Sequence, residues 1–101
     1  MSKYVVSAEA KTDLAEIWEY IAQDNLDAAD RLIARLREAC EMLARAPRIG
    51  HKREDLTAAP VLFLPVGAYL VVYRAQTNFV EIVAVTQGAR DIPSFLQRRS
   101  H

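Results

Sequence analysis

Few side chains in this sequence could do chemistry, and they are scattered. Arg48, His51, Lys52 and Arg53 form the only concentrated basic patch, inside an irregular stretch from Pro47 to Pro60. Such a patch can contact phosphate or an acidic partner, but Glu54 and Asp55 follow at once and an ordinary polar loop is the better reading. His51 is the only histidine there, and a lone histidine makes a weak case for proton transfer. Cys40 falls on an apolar helical stripe with no base next to it, and reads as a small core residue rather than a nucleophile. With His51 and His101 it offers no metal-ligand spacing, so neither a metal nor another cofactor is expected. Arg90 stands in Gln87-Gly88-Ala89-Arg90-Asp91, where a strand end meets a glycine turn. A guanidinium there can grip an acid or phosphate bidentately, or pair with Asp91 or another nearby acid. The sequence holds these two readings even.

Composition limits what such residues can serve. Thirteen basic residues balance 13 acidic ones, so no net field draws nucleic acid or an anionic membrane non-specifically. A length of 101 residues with 51% hydrophobic content fits one domain over 1–101, large enough to bury about two-thirds of its unfolded surface. The single cysteine excludes an internal disulfide and suits a reducing compartment. The N-terminal stretch turns polar too soon for a signal peptide, and no apolar run approaches the ~20 residues of a membrane helix. A soluble, cytoplasmic protein is expected.

The elements that must position these residues follow from periodicity. Lys3 to Val6 is β-prone, and Ser7 can cap a helix whose first turn carries Glu9. Ala10, Leu14, Ile17, Trp18 and Ile21 then recur at helical spacing, with Lys11, Asp13, Glu16 and Glu19 largely on the solvated side. Trp18 lies in the apolar stripe and reads as core. Gln23-Asp24-Asn25 interrupts, and Ala29, Leu32, Ile33, Leu36, Cys40 and Leu43 mark a second helix ended by Pro47 and Gly50. The short connection predicts an antiparallel helical hairpin. Arg31, Arg35 and Arg45 read as a solvated face, with Asp27–Arg31 and Glu41–Arg45 spaced for ion pairs.

The second half reads as a three-stranded meander. Val61–Val66 is a strand with Pro65 at an edge or bulge, Gly67 turns into Tyr69–Ala75, and Phe79–Val85 follows. Gln76-Thr77-Asn78 suggests a three-residue hairpin with Asn78 in the left-handed region. That loop sets Arg74 opposite Val80 and Tyr73 opposite Glu81. Arg74 then shares a face with Leu70, Val72, Ile82 and Ala84, and Tyr73 shares the other with Tyr69, Val71 and Val83. Both faces are too apolar for water, so the helices cover one and something further covers the other. Phe95 and Leu96 belong to a short terminal helical turn. The fold class is α+β: an N-terminal strand, a helical hairpin, a three-stranded antiparallel meander and a C-terminal helical turn.

Nearly the whole chain resembles the RelE/ParE superfamily of type II toxins. The resemblance rests on Ser7-Ala8-Glu9-Ala10 with Asp13-Leu14 and Ile17-Trp18, Ala28-Ala29-Asp30, Pro47-Arg48-Ile49-Gly50, the run from Phe63 to Arg74, and Gly88-Ala89-Arg90-Asp91. It implies a helical hairpin on a curved antiparallel sheet, and a small antitoxin encoded alongside that wraps the toxin and forms a hetero-oligomer with it.

The RelE-like branch consists of ribosome-dependent ribonucleases that use basic strand residues and often a C-terminal Tyr or His. The matching positions here are Pro60, Leu62 and Leu70, with Phe95 or Leu96 near the C-terminal one. Apolar side chains neither move protons nor neutralise an oxyanion. Arg90 alone matches a basic residue of that pattern, and Gln87 stands where relatives commonly carry His. The closer resemblance is to the ParE-like branch, which implies a non-enzymatic inhibitor of DNA gyrase. The alternatives are a RelE-like messenger ribonuclease and a non-toxic binding module. On the ParE-like reading, an apolar sheet groove edged by Arg74 and Arg90, with Leu70, Val72, Ile82 and Asp91, binds the antitoxin or target. Arg48, Lys52 and Arg53 are weaker candidates.

Overall fold

In the computed structural model, which describes residues 3–99, the chain begins with β1 (Tyr4–Val6) and two helices, α1 (Ala8–Ala22) and α2 (Leu26–Arg45). Ser7 caps α1, its Oγ accepting the Ala10 N–H at 3.1 Å. Asn25 caps α2 in the same way, accepting from Ala28 N at 2.9 Å. Each cap satisfies an otherwise free amide of a first turn, which is why two helices can start within a few residues of a break. Trp18 ties the hairpin from the side by donating its Nε1 hydrogen to Asp30 Oδ1 at 2.9 Å. The expected pairs Asp27–Arg31 and Glu41–Arg45 do not close to ion-pair distance among the described residues. Pairing long exposed side chains gains too little in water to hold them. Ser100 and His101, at the end of the polar tail, and Met1 and Ser2, within the stretch read as lacking a signal, lie outside the described residues.

The meander follows as β2 (Leu62–Val66), β3 (Tyr69–Ala75) and β4 (Val80–Gln87), then α3 (Ile92–Gln97). The sheet order is β1-β4-β3-β2, with β1 parallel to β4 and the other pairs antiparallel. Pro65 sits on the outer strand, where a missing N–H costs no ladder bond. Gly67, at φ +60°, makes the turn into β3.

The β3–β4 register differs from expectation. The loop has four residues, Gln76 to Phe79, closed by Gln76 N donating to Phe79 O at 2.9 Å, and no described non-glycine residue takes a positive φ. Arg74 therefore faces Glu81, and Tyr73 faces Ile82. The irregularity lies further along, where Tyr73 pairs with Ile82 but Val72 pairs with Ala84, leaving Val83 as a bulge. The extra residue reverses the alternation. Ile82 joins Tyr73 on the helix-covered face, and Val83 joins Leu70 and Val72 on the other, correcting both placements.

Two cores result. Against the helices lie Ala10, Leu36, Cys40 and Leu43 with Val71, Tyr73, Val80, Ile82 and Val85. On the opposite face Phe63, Leu70, Val72 and Ala84 are covered by Val61, Ile92 and Phe95, with Leu56 and Leu96 packed around them. The further cover that the apolar pattern demanded thus comes in good part from the chain's own loop and α3.

Candidate functional site

The C-terminal end of β4 gathers the polar groups. Gly88 N donates to Ala68 O at 2.8 Å, and Arg90 N donates to Gln87 O at 3.2 Å, which folds the chain away from the sheet into α3. Asp91 caps that helix: Oδ1 accepts from Ser94 N at 3.3 Å and Oδ2 from Ser94 Oγ at 2.9 Å. Its carboxylate is spent on this task, so the Arg90–Asp91 ion pair does not form. An open cleft of about 350 Å³ lies between α1 and the strand ends, lined by Glu16, Ile17 and Tyr20 on one side and by Tyr69, Thr86, Arg90 and Phe95 on the other.

The cleft wall is built on Asp13. This residue is only 7% exposed, contrary to the expectation of a solvated side chain. Its Oδ2 accepts the Val85 N–H at 3.0 Å, and its Oδ1 pairs with Arg99 Nη2. Arg99 Nη1 donates in turn to Val83 O at 3.1 Å, the carbonyl freed by the bulge, which Ser7 Oγ also approaches at 3.5 Å. A bulge interrupts the ladder, and these side chains satisfy what it leaves open. Burial pushes the Asp13 carboxyl above its ordinary value, while the Val85 amide and Arg99 pull the other way. The Arg99 guanidinium also stands 4.5 Å from the Phe95 ring centroid, and that of Arg90 stands 4.8 Å from it. Both contacts are in the cation–π range. Arg99 is committed to Asp13. Arg90 is exposed and has no carboxylate at ion-pair distance among the described residues, so a preoriented guanidinium is presented at the cleft mouth.

The other anticipated residues separate. Arg74 is half-buried near the far end of β3, with Nη1 3.7 Å from Glu81 Oε1, and lines a different hollow with Leu56, Val61 and Leu96. Arg74 and Arg90 therefore do not edge one groove. Leu70 and Val72 lie beneath the loop and α3, and Ile82 beneath the helices; Val72 and Ile82 are both 0% exposed. In the basic loop, Arg53 is held bidentately by Asp55 at 2.8 and 3.0 Å, leaving Arg48 and Lys52 exposed at the hairpin end of the sheet, away from Arg90. Burial pushes the Cys40 thiol up to about 11, which fits a core residue. Among the described residues no group of three His, Cys, Asp or Glu side chains could hold a metal.

Two structural ties escaped the sequence reading. One is Asp13–Arg99; its available signal was the spacing of Asp13 three residues after Ala10 and four before Ile17, on the buried side of α1. The other is Tyr73, whose hydroxyl donates to Pro47 O at 2.7 Å and accepts from Gly50 N at 2.9 Å. A Cβ at Gly50 would clash with that hydroxyl, which ties Pro47-Arg48-Ile49-Gly50 to the tyrosine.

Comparison with known proteins bears on the whole chain. The family model described as "ParE toxin of type II toxin-antitoxin system, parDE" matches residues 4–92. Among solved structures, "Chromosomal ParDE TA system from P. aeruginosa" is similar with a TM-score of 0.70 at 18% identity, over 86% of this chain and 96% of that one. At that identity the likeness speaks for the fold. No curated protein matches.

Proposed function

The chain belongs to the ParE toxin family of type II toxin–antitoxin systems, and from that premise we propose that it is a non-catalytic toxin that binds and inhibits DNA gyrase in the cytoplasm and is held in check by an antitoxin encoded beside it. The observation that carries the binding reading is Arg90. An unpaired guanidinium stacked on Phe95 at the mouth of a partly apolar cleft is suited to a carboxylate on a partner protein, with Ile17 and Tyr69 beside it to receive apolar side chains.

Chemistry finds less support. Leu62 packs on the helix-side core and Leu70 is buried on the opposite face, so these positions work as scaffold. Pro60 and Phe95 supply no proton donor or acceptor. In the antitoxin complex, a hetero-oligomer on this reading, Arg90 meets an acid of the antitoxin; Arg74, already near Glu81, contributes less.

Growth after induction, with and without the product of the adjacent gene, tests the toxin reading. Arrest on induction and rescue by co-expression are expected. Normal growth together with no binding to the adjacent product would overturn it. Arg90→Ala should leave the melting temperature within about 2 °C, as for most exposed substitutions, while weakening arrest or antitoxin binding; wild-type behaviour in both assays removes Arg90 from the site.

A further inference from the structure

The two outer edges of this sheet are treated differently. At β2, His51 N donates to Phe63 O at 2.9 Å and Phe63 N donates to His51 O at 2.8 Å, and Pro65, two residues on and facing the same way, has no N–H to give. That edge is closed to another strand. At β1, Val80 N donates to Lys3 O at 3.1 Å and Ser7 N donates to Ile82 O at 3.0 Å, so Lys3, Val5 and Ser7 turn their backbone groups to β4. By alternation Tyr4 and Val6 turn their N–H and C=O outward. No group among the described residues takes these up. An edge without proline, bulge or covering loop is a template for a further strand.

The side chains around this edge are complementary to themselves. Tyr4 and Val6 pack on the helix-side core, which leaves Val5 on the opposite face, beside Glu81 and 45% exposed. On the helix side, Arg37 and Glu41 of α2 are exposed one turn apart. Both charges act on the Tyr4 hydroxyl: burial pushes it above its ordinary value, Cys40 and Glu41 add to the rise, and Arg37 opposes it. Tyr4 thus lies within reach of both. Neither Arg37 nor Glu41 has an ion-pair partner among the described residues. A two-fold axis through Val5, normal to the sheet, sets Tyr4 opposite Val6 of a second copy, and each such pair exchanges both backbone bonds. Val5 then meets its own copy at the closer, non-hydrogen-bonded spacing, about 4.5 Å between Cα atoms. The same axis makes the two α2 helices antiparallel, which turns Arg37 toward Glu41 of the other copy.

We propose that the chain pairs with a second copy of itself through β1, joining two four-stranded sheets into one, with Val5 against Val5 on the axis and Arg37 against Glu41 on either side of it. Symmetry selects this occupant. An exposed valine on the axis covers itself, and an acid and a base one turn apart on a helix satisfy each other when that helix is reversed. The seam is short, so a micromolar dissociation constant is expected. The inference rests on neither the gyrase nor the antitoxin reading and uses a surface apart from the Arg90 cleft.

The test is sedimentation of the purified chain from low to high micromolar concentration, with amide exchange followed at the same concentrations. The mass should rise toward that of a dimer, and the Tyr4 and Val6 amides should slow as it does. Val5→Lys, which sets two cations across the axis, and Arg37→Glu, which gathers acids there, should each weaken self-association at least about tenfold. The exchanged pair Arg37→Glu/Glu41→Arg should restore it to within about threefold of wild type. Melting temperatures near wild type for all three variants would show that the losses are of contact. A monomer at every concentration would overturn the proposal, as would a dimer whose Tyr4 and Val6 amides exchange unchanged, or one indifferent to Val5→Lys and Arg37→Glu. Failure of the exchanged pair to restore association would overturn it too. Protection of those amides only when the adjacent gene's product is added to a monomeric chain would give the edge to a strand of that product instead.

Discussion

The two faces of this sheet come from the same strands, yet they are closed by different means. One is covered by α1 and α2, two capped helices that bring Ala10, Leu36, Cys40 and Leu43 down onto Val71, Tyr73 and Ile82. The other is covered by an irregular loop and the six residues of α3, with Leu56, Val61, Ile92, Phe95 and Leu96 supplying the apolar contact. Long helices bury enough surface to hold themselves in place. A single short helix does not, and specific polar ties hold the second cover. Gly50 and Tyr73 fix the loop beside the edge of β2, and Asp13 and Arg99 fix the chain after α3. Arg90 stands beside the second tie, so the best candidate for partner binding belongs to the more conditionally assembled half of the molecule.

Substitutions on each side can sharpen or break this contrast. Leu43→Ala removes a fully buried side chain from the helix-covered core and should cost about 3 kcal/mol, lowering the denaturation midpoint of the whole chain. Gly50→Ala comes next, at about 2 kcal/mol. Its new methyl would meet Tyr73 Oη, Cε1 at 2.7 Å and the Phe63 carbonyl at 2.9 Å, so either the loop or the ring must move. A fully stable Gly50→Ala protein would show that the loop is not pinned as described.

Asp13→Asn should cost about 1 to 2 kcal/mol, less than the loss of a fully enclosed pair, because the Arg99 side chain is already 14% exposed and can turn to water. The decisive measurement is local. Amide exchange should quicken in α3 while α1 and α2 keep their protection; equal acceleration everywhere would contradict the picture of separately held covers.

The smallest effect concerns Cys40. Its thiol is ordinarily near 9 and is pushed up to about 11 by burial in the helix-side core. Above pH 9 the unfolded state loses its proton while the folded state keeps it, so stability falls as pH rises from 9 toward 11, by about 1 kcal/mol at pH 10. Cys40→Ala should flatten that slope, and alkylation of the wild-type thiol at pH 8 should proceed only as fast as the core opens. Rapid labelling of the folded protein would show that the core is less closed than drawn.

Much of the architecture is legible in the sequence, because it depends on local patterns. Ser7 as a cap, the helical hairpin, Tyr69–Ala75 as a strand and Pro65 on an edge all follow from residue types and spacing. The β3–β4 register did not, since Ile82, Val83, Ala84 and Val85 are all apolar and a one-residue bulge among them leaves no mark in the alternation. The candidate site was legible in Arg90 but not in its surroundings. Asp91 was available to pair with Arg90 until the start of α3 claimed it as a cap, and Asp13 resembled any solvated acid until the bulge at Val83 and the return of Arg99 gave it partners. The Asp13 ties join residues more than 70 positions apart, beyond the reach of periodicity.

The central claim, a toxin that acts by binding rather than by cutting, is tested most directly by adding the purified chain to DNA gyrase and a relaxed plasmid, with ribosome-bound mRNA assayed in parallel. Lost supercoiling or accumulation of cleaved plasmid, intact mRNA, and restored supercoiling when the adjacent gene's product is added are the expected results. Cleaved mRNA with normal supercoiling would contradict that claim.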